Sequence, residues 1–156
     1  MTRINVIPAK LLLDQHLLAE KKEINQLAGQ LTKSLRSINW TYSTLPNEFT
    51  LGTGHVKFWY LRGGFIRQRY KEVYDECVDR KFNVKDNFND VWLNKPSIFN
   101  RNYSPTDSAI ALIKSRISDR VLEKRCFYRY RGRLVEYESY LSALRSDDPS
   151  LIKNLI

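Results

Sequence analysis

Leu13, Leu17, Ile24, Leu27, Leu31 and Leu35 recur at intervals of three, four and seven residues along the opening of the chain. That spacing marks an amphipathic helix with a single buried stripe. The pattern begins behind Pro8, whose missing N–H costs little at a helix start. It predicts a first helix from about Ala9 or Lys10 to the mid-thirties. Ile66, Tyr70, Val73, Tyr74, Cys77 and Val78 repeat the period and predict a second helix over about Phe65 to Arg80. Ile110, Ile113, Ile117, Val121 and Leu122 predict a third, with Thr106 or Asp107 available to cap it. Pro46, Asn47, Gly52, Gly54 and the pair Gly63-Gly64 make residues 38–64 read as irregular. Within them Val56, Phe58 and Tyr60 alternate with Lys57 and Trp59, which fits a short strand or an extended buried segment. Residues 82–105 form a long connection whose Phe82, Val84, Val91, Trp92 and Phe99 are expected to pack it down. Beyond Gly132 the chain forms a short helix or stays loose. The expected fold class is all-α, a compact single domain of three main helices with long irregular loops.

A length of 156 residues suits one domain with its own core. No apolar run approaches the ~20 residues of a membrane span, and the N-terminus lacks the apolar stretch and cleavage site of a secretory signal. No membrane partner is therefore expected. Cys77 and Cys126 form no CxxC, and His16 and His55 form no HExxH, so a zinc site is not expected. A reducing cytoplasm is the expected setting.

The net charge is +9 and unevenly placed. Residues 114–133 hold eight Lys and Arg against Asp119 and Glu123, a net +6, whereas residues 134–156 are net −2. A concentrated basic segment is the footprint of a polyanion, usually nucleic acid. Its CFYRYRG run, Cys126 to Gly132, alternates rings that stack on bases with arginines that contact phosphates. Arg116 and Arg120 are four apart, so both can face one backbone. A generic solvated basic surface is the plainer alternative.

The chain opens MTRIN. Removal of Met1 leaves Thr2 with an α-amine whose ordinary pKa is about 8, roughly two units below a lysine. A fraction of that amine is nucleophilic at neutral pH, and an amine beside a carboxylate can work at a carbonyl or acetal carbon. His16, Glu20 and Glu23 follow at spacings of four and three, on one helix face. They read either as part of such a site or as a solvated face paired with Lys21 and Lys22. Glu20 can also serve structurally by holding loop backbone groups. Gly52-Thr53-Gly54-His55 lacks the remaining glycines and lysine of a phosphate loop and better fits a tight turn with His55 packed inside.

Taken as a set, MTRIN, DQHLLAE at 14–20 with Glu23 beyond it, LGTGHV at 51–56, FNVKD at 82–86, YSPTDSAI at 103–110 and FYRYRG at 127–132 resemble the phage pyrimidine-dimer DNA glycosylases with AP-lyase activity, the phage endonuclease V family. The likeness runs from Met1 to about Leu134. It implies a glycosylase/AP-lyase domain over 1–134, with 135–156 a C-terminal extension of unknown role. It also implies an N-terminal arm packed between helices, catalysis by Thr2 and Glu23, and no cofactor. Arg3, Gln15, His16, Lys22, Gln26, Arg116, Arg120, Phe127, Tyr128, Arg129 and Tyr130 fall where such a protein meets DNA. The implied partner is lesion-containing duplex DNA, with non-specific duplex binding at low salt, and the protein is expected to be a monomer. If the source is viral, its setting is the host bacterial cytoplasm. Lys22 and Gln26 stand where the family carries arginine, and Phe127 where it carries tryptophan. Those departures spare Thr2 and Glu23 and bear on lesion preference. The same chemistry on another damaged base, or DNA binding without catalysis, are the alternatives.

Overall fold

A computed structural model of the chain describes residues 4–155, so Thr2 and Arg3 lie outside the described residues. Three long helices dominate, α1 (Asp14–Leu35), α3 (Gly63–Asp79) and α4 (Asp107–Glu123). A single turn, α2 (His55–Phe58), precedes α3, and α5 (Tyr137–Ser146) follows a two-stranded hairpin of β1 (Arg129–Tyr130) and β2 (Arg133–Leu134). The all-α expectation holds. Among the described residues no helix is long and apolar enough to cross a membrane.

The first helix starts later than its periodicity suggested. Ala9–Leu11 form a separate 3-10 turn, Leu12 and Leu13 are extended, and α1 begins at Asp14. The reason is that Leu11, Leu12 and Leu13 are all fully buried. A continuous helix would turn one of three consecutive side chains toward solvent, and the break points all three inward. From there the stripe behaves as read, with Leu17, Ile24, Leu27 and Leu31 buried.

Residues 55–58 are helical, which corrects the strand or extended reading of that stretch. The alternation misled because Phe58, Trp59 and Tyr60 are all buried in succession. α3 then opens on Gly63, where a Cβ would come within 2.4 Å of the Trp92 ring. Trp92 is fully buried and donates its indole N–H to the Tyr60 carbonyl at 3.0 Å. The long connection is thus nailed down by its aromatic residue beneath the start of α3. Thr106 caps α4 by accepting from the Ala109 N–H.

The arm lies between α1 and α3. Ile4, Val6 and Ile7 are buried, and Arg69 of α3 donates to the Ile7 carbonyl at 2.7 Å. The hairpin turns at Arg131 and Gly132, with φ of 50° and 83°, the pairing that a two-residue type I′ turn requires. Asp14 accepts from both of their backbone N–H groups, at 3.0 and 2.7 Å, and so fastens the hairpin to the start of α1. Residues beyond the hairpin pack on the body: Val135 is buried, and fully buried Tyr140 of α5 donates to the Leu11 carbonyl at 2.9 Å.

Candidate nucleic-acid interface and N-terminal arm

Gln15, Lys22 and Gln26 are seven and four residues apart on α1, and His16 and Glu23 are seven apart beside them. That spacing gathers all five along one broad side of the helix. Lys22 and Gln26 are exposed, and Glu23 is half-buried. Lys22 and Gln26 border a concavity of about 470 Å³ with Leu18, Val84 and Asn87. Lys21 instead turns inward. It is buried, donates to Asn87 Oδ1 at 2.9 Å and lies over the Tyr70 ring, so it is no surface ion partner of His16, Glu20 or Glu23.

At the other end of this side, the hairpin segment is stapled to α1 by Gln15. Its amide Nε2 donates to the Phe127 carbonyl at 2.8 Å, and its Oε1 accepts from the Arg129 N–H at 3.0 Å. The staple leaves Phe127 with 51% of its surface exposed. The alternating run is sorted by burial rather than presented whole. Tyr128 and Tyr130 are buried, and the Tyr130 hydroxyl donates to the Lys10 carbonyl at 3.0 Å while Arg80 covers its ring. Among the rings of this run, Phe127 alone offers an open face.

A pocket of about 250 Å³ sits where α1, α4 and this segment meet, lined by His16, Arg116, Arg120, Lys124, Phe127 and Tyr128. His16 is buried, its ring centroid 4.8 Å from that of Tyr128, and among the described residues its Nδ1 has no hydrogen-bond partner. Burial first, and then the charges of Arg116 and Arg120, hold the imidazole down to about 4. The free value is 6.5. Between the two, the unfolded chain binds the extra proton, so stability is lost as pH falls through that window. The loss approaches roughly 3 kcal/mol at the folded value. Urea denaturation of the wild type and His16→Phe between about pH 7.5 and 4.5 checks this. The wild type should weaken more steeply than the variant, and parallel profiles would contradict the assignment.

Part of the basic segment's charge is neutralised within the fold. Arg131 pairs with Asp79 at 2.7 Å and Lys114 with Asp147 at 2.7 Å, while Arg125 covers the Tyr137 ring. Arg120 likewise meets Glu123 at 3.3 Å, so the basic surface is narrower than the net +6 suggests.

The partners in the interior of the site were not legible in the sequence. Fully buried Glu20 accepts from the Asn5 N–H and the Asn5 side-chain amide, both at 3.0 Å. It also receives Arg69 through two nitrogens, at 2.8 and 3.0 Å. Of the readings open for Glu20, the structural one is correct, and its side chain is not part of a solvated face. His55 is buried, as the tight-turn reading expected, and its ring accepts from the Ile4 N–H at 3.1 Å. The described arm is thus held at consecutive residues by side chains from two helices. Glu23 lies three residues, less than one turn, beyond Glu20.

A family model described as pyrimidine dimer DNA glycosylase matches residues 1–90. The match contains the arm, α1, α2 and α3, and so every residue of the Asn5–Glu20–Arg69 cluster. On that match, over more than half its length, the chain belongs to the pyrimidine dimer DNA glycosylase family.

Proposed function

We propose that the protein excises ultraviolet-induced pyrimidine dimers from duplex DNA and cleaves the resulting abasic strand by β-elimination, through an imine to the Thr2 α-amine. The observation that carries this reading is the anchoring of Asn5 on Glu20, three residues from Glu23 on the same helix. Two residues of extended chain reach at most about 7 Å, which bounds how far an amine attached ahead of Ile4 can lie from the anchored end of the arm.

The neutral amine attacks C1′, forming an N–C1′ bond as the glycosidic bond breaks and the base leaves with the electron pair and a proton. The nitrogen loses a proton, the C1′–O4′ bond opens onto a protonated O4′, and a protonated imine results. Glu23 stabilises that cation and helps take the C2′ proton, whereupon the C3′–O bond breaks and the 3′ phosphate leaves. Water hydrolyses the imine and frees the amine. Lys22, Gln26, Arg116, Arg120, Arg129 and Arg3 meet the strand. Gln15, His16, Tyr128 and Tyr130 build the surface that presents Phe127 to the distorted stack. A weakened stack is cheaper to deform, which suits a damage sensor.

Borohydride trapping on thymine-dimer, abasic and undamaged duplexes, with free and acetylated N-termini, tests this reading. Adducts on the first two, lost on acetylation, are expected. An adduct on abasic DNA alone would move the substrate to another damaged base, a reading that uncharged Gln26 in the 470 Å³ concavity favours. DNA binding without an adduct would leave a binding protein.

A further inference from the structure

We propose that His55 is a positioning residue for the N-terminal amine, acting through its hydrogen bond to the Ile4 backbone; the assignment rests on the amine chemistry proposed above. The ring of His55 is buried and packed edge-on by Phe49 and Trp59, with centroids 5.5 and 6.1 Å away. Its Nδ1 lies 2.8 Å from the Thr50 carbonyl. A carbonyl only accepts, so Nδ1 carries the hydrogen and Nε2 carries a lone pair. That lone pair receives the Ile4 N–H at 3.1 Å and the Trp59 indole N–H at 3.4 Å. The tautomer is therefore set by Thr50, and the acceptor is aimed at the arm. The loop that delivers it turns through Gly52 and Gly54, at φ of 80° and 123°.

Ile4 is the first described residue, and Thr2 is two residues before it. The next anchor, Asn5 on Glu20, is one residue farther on. Among the described residues the His55 bond to Ile4 is the anchor nearest Thr2 in the chain, and without it that place passes to Asn5, one residue or about 3.5 Å of reach farther on. Attack on C1′ demands the amine within about 3–3.5 Å along the right trajectory, and a misplacement of about 1 Å can cost a hundredfold. The Asn5–Glu20 clamp keeps the arm between α1 and α3, whereas His55 holds Ile4, the described residue nearest Thr2 in the chain. Neither His55 nor its ring partners Phe49 and Trp59 border the concavities at His16 or at Lys22, so the bond to Ile4 acts on the arm and not on the DNA surface.

The test compares His55→Gln with His55→Met in the full chain. The two side chains are of similar length, and only glutamine carries a strong acceptor for the Ile4 N–H. Two quantities are read: single-turnover borohydride trapping on an abasic duplex, and affinity for a tetrahydrofuran-site duplex, which has no aldehyde to trap. His55→Met should trap about tenfold more slowly at unchanged affinity, and His55→Gln should recover most of the rate. His55→Phe, which keeps the aromatic packing, replaces His55→Met if thermal melting shows the latter unfolded. Equal trapping by acceptor-bearing and acceptor-free variants overturns the assignment, as does a parallel fall in rate and affinity in both. Trapping that survives an acetylated N-terminus overturns the amine reading and this assignment with it. Trapping lost on acetylation but indifferent to the acceptor overturns only the role of His55.

Discussion

Replacing Arg69 with leucine should lower the unfolding free energy by about 3–5 kcal/mol, the usual consequence of removing one partner from a buried ion pair. Arg69 and Glu20 leave only 3% and 0% of their side chains exposed. The guanidinium meets the carboxylate through two nitrogens, and its third nitrogen bridges the Ile7 carbonyl and Glu72 at 2.7 and 3.0 Å. Leucine would leave Glu20 as an uncompensated buried anion and the Ile7 carbonyl unmatched. Adding Glu20→Gln should recover part of the loss, because an amide oxygen still accepts from Asn5 without the charge. Urea denaturation of the two singles and the double gives the coupling directly. A loss for Arg69→Leu below about 1 kcal/mol, the range of exposed pairs, would mean that water reaches this cluster.

That cluster also marks where reading the sequence stops. The helices were legible because the apolar period of 3.6 repeats over many residues, as at Leu17, Ile24, Leu27 and Leu31. Short elements were not. The turn at 55–58 is a single one, and its neighbours Trp59 and Tyr60 are buried with Phe58, which no periodicity encodes. Leu12 and Leu13 break the first helix for the same reason, since burial on all sides overrides the local pattern. Spacing put His16, Glu20 and Glu23 on one face of α1, whereas Gln15, Lys22 and Gln26 entered the site only through the resemblance. Its interior was hidden because the partners are polar and far apart in the chain. Glu20 and Arg69 are 49 residues apart, and Ile4 and His55 are 51. Glu20 was open to a functional, a solvated or a structural reading, and its oxygens are taken by Asn5 and Arg69. A further clue was an arginine, Arg69, on the apolar side of α3 beside Ile66, Tyr70 and Val73. Likewise the aromatic-basic run announced an interface without saying which rings face out. The two backbone bonds from Asp14 and the Gln15 staple decide that, and they depend on where the hairpin docks.

Glu23→Gln should slow β-elimination on an abasic duplex by about 10²–10⁴, the span of a positioned general acid–base group. Glutamine keeps the size and hydrogen-bonding reach of the side chain and removes only the charge and the basicity. The three other carboxylates near the arm, Glu20, Glu72 and Asp14, are already engaged with Arg69, Arg69 and Arg80 in turn, so none stands ready to substitute. Affinity for undamaged duplex should hold or rise, because an anion is removed from a side of α1 that also carries Lys22. The two readouts therefore move in opposite directions, which a merely destabilised protein would not do. The folded fraction is controlled by melting, so that rate and affinity are compared at equal folded protein. A rate within threefold of wild type at intact folding would remove Glu23 from the chemistry and leave the amine to work with solvent as its base. A joint loss of rate and affinity would make Glu23 a structural residue of α1. The expected split assigns it to the cationic intermediate, where a carboxylate has most to stabilise.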